Sequence, residues 1–468
     1  MTTEEIDFSN YDKFVELMKQ EGNNFISKHK DSNILIISHH DTDGLCSAAI
    51  LEKSFEKENI SFNTINSQQI DENLIENLSK NYKKEFLIFV DIGSSRLDLI
   101  KTLKNNLIII DHHKPNEENN DKTKNITHIN PFNFNIVEEN MISGATMTYF
   151  FCQGINSQNK ANAFLAVLGS IGDTQEKNGF QYFNNIALQH SLLQKQISIS
   201  PELRLYGKNS RSLVKVLEYS TDISIPGLTN NYKGVISFLK ELRIPIYWNG
   251  KPRKWYNLKD FEKEKITESI LNLKSDVAIE DITVNSYKLN IFNKREFKDL
   301  RELATIINSC GRLEDYRIAI DALKANEEAQ DKAIMNLRVY KSSIRDALQL
   351  FEKSKEENTL IQNEKIIIFD TNNQVKSSIV GVVASIIARN KYYEPGVIIC
   401  TLSNQDENFV KISLRASQDN TELNLSELLQ QIVSNLDSNA GGHPNAAGAI
   451  IPIAKKQEFI DSLLSFFN

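Results

Sequence analysis

Three short apolar runs, each ending in acids or imidazoles, constrain what this chain can fold into. Ile34-Leu35-Ile36-Ile37 leads through Ser38 into His39-His40-Asp41-Thr42-Asp43, Phe86-Leu87-Ile88-Phe89-Val90 ends at Asp91, and Leu107-Ile108-Ile109-Ile110 ends at Asp111-His112-His113. Unbroken Ile, Leu and Val runs of this length suit strands buried on both faces, the habit of parallel sheets covered by helices. The polar clusters would then stand at strand carboxyl ends. Outside those ends lies the crevice where open α/β sheets bind ligands, so three segments would deliver acids and imidazoles to one rim.

Spacing sharpens the expectation. If the chain stays extended past Ser38, then His39, Asp41 and Asp43 fall at i, i+2 and i+4 on one side of the backbone. Three like-facing groups, two of them anionic, repel one another unless a cation sits among them. A carboxylate and imidazole set with no nearby cysteine favours Mn²⁺, Mg²⁺, Zn²⁺ or Fe²⁺ over a thiolate site. One Asp from a neighbouring strand could bridge two ions, the arrangement that clamps the attacking and leaving oxygens of a phosphoester. A single Asp or His here would more often be a turn residue or helix cap. Three clusters, each directly after an apolar run, are poorly explained that way.

Bulk properties set the frame. With 468 residues the chain exceeds one ordinary core, and 40% hydrophobic with 25% charged residues is ordinary for a globular protein. The changes of pattern place a first domain at 1–195, a middle inserted domain at 196–325, a connector helix and linker at 326–364, and a smaller domain at 365–468. The expected fold class is α/β: a parallel-sheet N-terminal domain, a helical or α/β insertion, and a smaller α/β C-terminal domain. No run approaches the about 20 apolar residues that span a bilayer, and Met1 to Asp7 is acidic where a secretory signal is basic and apolar. A cytoplasmic protein with no membrane contact is the expectation. Cys46, Cys152, Cys310 and Cys400 are too scattered for a metal knuckle or a disulfide framework. A net charge of −7 gives no global attraction to nucleic acid, so a polyanion would need local basic grooves and bound metal.

In chain order, Asn33 to Ser38 reads as a strand, Gly44 as a turn, and Leu45 to Phe55 as a helix. A strand at Ser61 to Ile65 and a helix from about Glu72 to Tyr82 follow. The Asp91 strand, a helix through Leu97 to Leu103 and the Asp111 strand complete an alternation that indicates a parallel sheet. Pro115 to Asn125 reads as an exposed loop, and Ser143 as the start of a helix through Phe151. Ala161 to Ile171 is a buried helix or strand, a fourth apolar segment that ends in an acid, Asp173, which is a candidate for the same rim although an isolated Asp after Gly is more often a turn residue. Farther on, Lys208, Arg211 and Lys215 precede Tyr219, and Lys251, Arg253 and Lys254 interleave with aromatics from Trp248 to Tyr256. Such mixtures suit single-stranded nucleic acid, and equally an ordinary solvated face. Glu296 to Leu313 and Glu327 to Glu356 read as helices, and Ser354 to Glu364 as a linker. Strands then fall at Lys365 to Phe369, Gly396 to Thr401 and Phe409 to Leu414, the last ending in Arg415, with helices at Ile379 to Ile387 and Leu425 to Leu436. In Gly441-Gly442-His443-Pro444-Asn445-Ala446-Ala447-Gly448 the paired glycines could cradle a phosphate, with Arg415 as its cation.

These motifs, in this order, resemble those of the DHH phosphoesterase family: Ser38 to Gly44, Val90-Asp91, Asp111-His112-His113, Gly172-Asp173, and Gly441-Gly442-His443 with Ala446-Ala447-Gly448. Within it, Tyr219-Ser220-Thr221-Asp222 with Ile225 to Thr229, and Ala304 to Asn308 with Cys310-Gly311-Arg312, are similar to the archaeal RecJ-like single-strand exonucleases, some of which associate with the GINS replication complex. The resemblance implies that His39, Asp41 and Asp91 hold one metal, while Asp43, Asp91, His112 and Asp173 hold a second. It implies His113 beside the scissile phosphate as general acid or charge stabiliser, with Asp111 orienting the imidazoles, and leaves His40 without a role. Arg415, Gly441, Gly442 and His443 would contact substrate from the C-terminal lobe. Two divalent cations, Mn²⁺ foremost and Mg²⁺ as alternative, are the implied cofactors. Single-stranded DNA or RNA, GINS and the replicative helicase are the implied partners, and nucleoside 5′-monophosphates the products. Within the same family stand hydrolases of short oligonucleotides, cyclic dinucleotides or pyrophosphate, and a scaffold subunit that has lost its metal ligands.

Overall fold

The computed structural model describes residues 9–467 except 116–123, 139, 178, 221, 275–278, 390–392, 418–422, 437 and 439. The acidic start, Thr221 and most of the loop expected from Pro115 to Asn125 lie outside the described residues. The chain divides into two units, Met1–Ile334 and Met335–Asn468.

In the first unit, α1 (Ser9–His29) precedes the alternation β1 (Ile34–His39), α2 (Thr42–Glu58), β2 (Phe62–Ser67), α3 (Glu72–Asn81), β3 (Phe86–Val90), α4 (Leu97–Ile100), β4 (Leu107–Ile110) and β5 (Ile126–Ile129). The five strands form one parallel sheet in the order β2-β1-β3-β4-β5, with Ile34 in register with both Phe62 and Phe86, and Leu87 with Leu107. Strand residues alternate between faces. Leu35, Ile37, Leu87, Phe89, Leu107 and Ile109 pack on one side against Ile75 and Leu78 of α3 and Leu97 and Ile100 of α4. Helices α5 (Gly144–Ile155) and α6 (Ala163–Gly172) pack with α1 and α2, and α7 (Tyr182–Leu193) closes this part of the chain. Strand order reverses between β1 and β3, so their carboxyl ends flank the point where sheets of this kind open a crevice.

Two expectations fail here for a local reason. The chain does not stay extended as far as Asp43: Asp41 caps α2, its carboxylate accepting from Gly44 N at 3.1 Å, and Asp43 falls in the first helical turn. Gly44 is therefore helical, and a Cβ there would overlap the carbonyl oxygen of His39. The segment from Ala161 resolves as helix, and the helix expected through Leu103 is a single turn.

The middle of the chain holds β6 (Ile197–Leu203), α8 (Leu213–Glu218), α9 (Tyr232–Glu241), the hairpin β7 (Tyr247–Trp248) and β8 (Lys251–Pro252), α10 (Asp260–Leu273), α11 (Ile279–Ile282) and β9 (Thr283–Leu289). β6 and β9 pair antiparallel, and Leu213, Val216, Val235, Leu239, Ile266 and Ile270 form a core of their own. Helices α12 (Leu300–Arg312) and α13 (Tyr316–Leu323) then pack back on α2, with α12 also on α6. Helix α14 (Glu327–Glu356) carries the chain into the second unit.

That unit holds β10 (Ile361–Gln362), β11 (Ile366–Asp370), α15 (Ser377–Ala388), β12 (Ile398–Asn404), β13 (Phe409–Ala416), α16 (Leu425–Ser434), β14 (Ala440–His443), β15 (Ala446–Pro452) and α17 (Lys456–Phe467). The sheet order is β10-β11-β12-β13-β15-β14, parallel only between β11 and β12. Ile366, Ile368, Cys400 and Leu402 face α16 and α17, while Thr401 bonds the Val380 carbonyl of α15 on the other face. The linker expected from Ser354 to Glu364 is instead the end of α14 followed by an edge strand, because Ile361 and Gln362 pair with Ile368 and Ile367.

Candidate metal centre

The acids are turned inward by different local devices, at a strand end and at helix ends. Asp91, the residue after β3, sits at φ +58° and is buried. That left-handed conformation is uncommon for a residue with a Cβ, though Asp and Asn adopt it most readily. Asp43 is fully buried, and its carboxylate accepts from the Gly144 and Ala145 amides at 2.6 and 3.0 Å, at the N-terminus of α5 where the helix dipole favours an anion. Asp173 is the C-cap of α6.

These devices bring six side chains together. His39 Nδ1 lies 3.1 Å from Asp41 Oδ2 and 3.4 Å from Asp91 Oδ2. His112 Nε2 lies 3.3 Å from Asp91 Oδ1, 3.4 Å from Asp173 Oδ2 and 4.0 Å from Asp43 Oδ2. The ligand atoms of His39, Asp41 and Asp91 fall within 4.8 Å of one another, as do those of Asp43, His112 and Asp173, and those of Asp91, His112 and His113. Asp91 and His112 each belong to two of these groups.

The electrostatics are those of a site built around cations. Burial disfavours charge on both imidazoles, yet Asp41 and Asp91 hold His39 well above the usual imidazole range, and Asp91, Asp173 and Asp43 lift His112 to about 10. Burial and then Asp91 push Asp43 up to about 8, and burial with Asp43 raises Asp173. Protons thus stand in for missing positive charge. His39 Nδ1, Asp91 Oδ1 and His112 Nε2 are buried without a hydrogen bond, although each has an oppositely disposed atom close by. Four carboxylates and two imidazoles, oxygen and nitrogen donors only, fit a pair of hard or borderline divalent cations.

Asp111 is placed differently. It is fully buried and accepts from Ser94 N at 2.7 Å, while its other oxygen bonds His113 Nδ1 at 2.7 Å and His113 N at 3.1 Å. Its carboxyl is held below the usual range by His113 against the effect of burial, and the His113 imidazole is raised by Asp111 in return. With Nδ1 committed, the half-exposed His113 ring keeps Nε2 for another partner.

The family models match residues 33–170 as the DHH family N-terminal domain, 205–286 as a DHH-CID domain and 363–468 as a DHHA1 domain. The chain is a DHH-family protein with a RecJ-like fold. An uncharacterized protein of Methanocaldococcus jannaschii is 27% identical to it over 435 residues, 91% of either chain. Among solved structures, exonuclease RecJ bound to manganese superimposes with a TM-score of 0.57 at 14% identity, over 96% of this chain and 94% of that one. CDC45 from Entamoeba histolytica gives 0.62 at 12% identity, over 97% and 98%.

In the DHHA1 domain, Arg415 of β13 and His443 of β14 are both in register with Ala446 of β15, so the two side chains share one face of the sheet two strands apart. Arg415 Nε donates to Ser385 Oγ at 2.9 Å and Nη1 to the Leu414 carbonyl at 2.7 Å. Gly441 is open to solvent contact on its Cβ side, and Gly442 adopts φ +144° against the Ala446-Ala447 backbone.

Several residues escaped the sequence reading. Asn130 donates to the carbonyls of Asp111 and His113 and to Ser94 Oγ at 2.7 to 2.9 Å, fixing the loop after β4. Gly144 and Gly169 have no room for a Cβ beside Asp91 and Asp43. Thr42 donates to the Ala304 carbonyl at 2.9 Å, and Gly311 of the same helix packs on the His40 carbonyl. Thr42, Ala304 and Gly311 stood in the family-like motifs, which gave them no role, and Asn130, Gly144 and Gly169 stood in none.

Proposed function

We propose that this DHH-family protein is a metal-dependent exonuclease that hydrolyses phosphodiester bonds of single-stranded DNA or RNA to nucleoside 5′-monophosphates, in DNA replication or repair. The observation that carries the reading is Asp91: one buried carboxylate within ligand distance of His39 on one side and His112 on the other. In this reading His39, Asp41 and Asp91 hold one cation, and Asp43, Asp91, His112 and Asp173 the other, Mn²⁺ before Mg²⁺. Such a pair polarises the phosphoryl oxygens and lowers the pKa of water to supply a nucleophile near neutral pH. His113 stands beside the scissile phosphate, where Asp111 fixes its tautomer and stabilises its protonated form, so that Nε2 can hold or deliver a proton to the leaving oxygen. Arg415, Gly441, Gly442 and His443 bind substrate phosphate. Residues 1–195 are then the catalytic domain, 196–325 the insertion, 326–364 the connector and 365–468 the substrate-binding domain.

A metal-dependent degradation time course on end-labelled DNA and RNA oligonucleotides, run beside a dinucleotide, tests the reading. Mononucleotide release from the long strand that needs divalent metal and vanishes in Asp41→Ala with Asp111→Ala supports it. Preference for the dinucleotide, a cyclic dinucleotide or pyrophosphate would favour a small-substrate hydrolase. The likeness to a CDC45 fold over nearly the whole chain favours a second reading, a replication scaffold that binds GINS and the replicative helicase. Retention of those partners by a chain that cleaves no substrate would select it.

A further inference from the structure

The middle of the chain departs electrostatically from the rest. Residues 196–299 carry 18 Lys and Arg against 13 Asp and Glu, a surplus of five cations in a protein whose net charge is −7. All but one of the cation–ring pairs among the described residues fall in this region. They are of two kinds. Arg253, over Trp248, is 2% exposed and locked to Glu262 Oε1 at 2.9 Å, and Lys208 is paired with Glu202; these cations are structural. Of the basic residues from Trp248 to Tyr256, Arg253 thus belongs to the core, and Lys254 does not. Arg211, Lys215, Lys254 and Arg295, by contrast, form no ion pair among the described residues.

Those four cations and their rings are continuous. Lys215 and Arg211 each lie 5.8 Å from the exposed Tyr219 ring, and Arg211 lies 5.1 Å from Tyr206. Asn209, two residues before Arg211, accepts through its carbonyl from Lys254 Nζ at 3.3 Å. Lys254 and Arg295 then flank Tyr256 at 5.7 and 4.3 Å. The strip is tied to the metal centre through one helix: the Tyr206 hydroxyl bonds the Thr305 side chain, and the neighbouring Ala304 carbonyl accepts from Thr42, between Asp41 and Asp43.

We infer that this strip is a binding track for single-stranded nucleic acid, on which the exposed Tyr219 ring and the part-exposed Tyr256 ring stack bases and the unpaired cations meet phosphates, holding nucleotides beyond those at the metal centre. Flat rings beside cations free of carboxylate partners match a flexible polyanion with π faces better than a folded protein surface. The inference rests on the nuclease reading only for calling the bound strand a substrate.

Fluorescence anisotropy of a labelled 20-nucleotide dT strand, in EDTA so that nothing is cleaved, tests the track apart from the chemistry. Lys215→Glu and Tyr219→Ala alter exposed side chains outside the metal centre. Each is expected to weaken binding at least fivefold, and Arg211→Ser with Lys215→Ser to flatten the dependence of log affinity on log salt by about 1.4. Hydrolysis of a dinucleotide by the same variants should stay at the wild-type rate. Wild-type affinity and salt slope in all three variants overturn the track, as does failure of the wild-type chain to bind the strand. Binding that depends on the strip in a chain that cleaves nothing leaves the track standing and removes the nuclease reading.

Discussion

At the scale of single residues, the conformation of Asp91 matters as much as its charge. Its left-handed backbone is tolerated by Asn as well as Asp, so Asp91→Asn separates the two roles. We expect a melting temperature near that of the wild type, with Mn²⁺ stoichiometry by calorimetry falling below two and activity lost. The titration of the cluster gives a second expectation. Asp43, with its folded pKa at about 8 against an ordinary 3.8, holds a proton that the unfolded chain has released, so its contribution to stability is lost as pH rises from about 4 through 8. His112, raised to about 10 from 6.5, loses its contribution between those values, in the same direction. The metal-free protein should therefore lose thermal stability from pH 6 to 9, while Mn²⁺ uptake releases protons and grows tighter over the same range. A melting temperature in EDTA that climbs with pH would contradict this. None of it was legible beyond the presence of the acids, because a left-handed Asp and a helix-bound Asp43 leave no periodic trace in the sequence.

At the scale of elements, strands and helices meet around the centre with glycine where a methyl group would intrude. A Cβ on Gly169 of α6 would overlap Asp43 Oδ1, and one on Gly144 of α5 would lie 2.7 Å from Asp91 Oδ1. In an ordinary helix interior Gly→Ala stabilises by about 0.5 to 1 kcal/mol. Here Gly169→Ala is expected to weaken Mn²⁺ binding about 10- to 100-fold, as disturbance of ligand support does, with no rise in melting temperature. Elsewhere α2 and α13 are joined through Glu52, a fully buried carboxylate that bonds Arg317 Nη1 and Lys324 Nζ, both at 2.8 Å. Because Arg317 is half exposed, Glu52→Ala should cost about 2 kcal/mol in chemical denaturation, less than the about 3 to 5 of a wholly buried pair. The strands were readable from their apolar runs and the Gly44 helix was mistimed by three residues, since the capping carboxylate of Asp41 is also a candidate ligand.

At the scale of the whole molecule, every candidate metal ligand lies in the unit Met1–Ile334. Ligand binding stabilises only the cooperative unit that binds, by about 2.7 kcal/mol at a hundredfold excess over Kd. Calorimetry is therefore expected to resolve two transitions, of which Mn²⁺ raises one and EDTA lowers the same one. Equal shifts in both would tie the units into a single cooperative fold. The sequence by itself determined the parallel sheet, the place of Asp91 and Asp111 at strand ends, and the order of the family motifs. Those follow from local apolar patterning, which needs no knowledge of neighbours. Only the tertiary structure decided that Asp91 turns back between His39 and His112, that α5 and α6 close over Asp43, that α12 returns from far along the chain to Thr42, and that Arg253 is a core residue while Arg211 is not. Each of these depends on backbone torsion or on contacts between distant segments, and residue spacing carries no record of either.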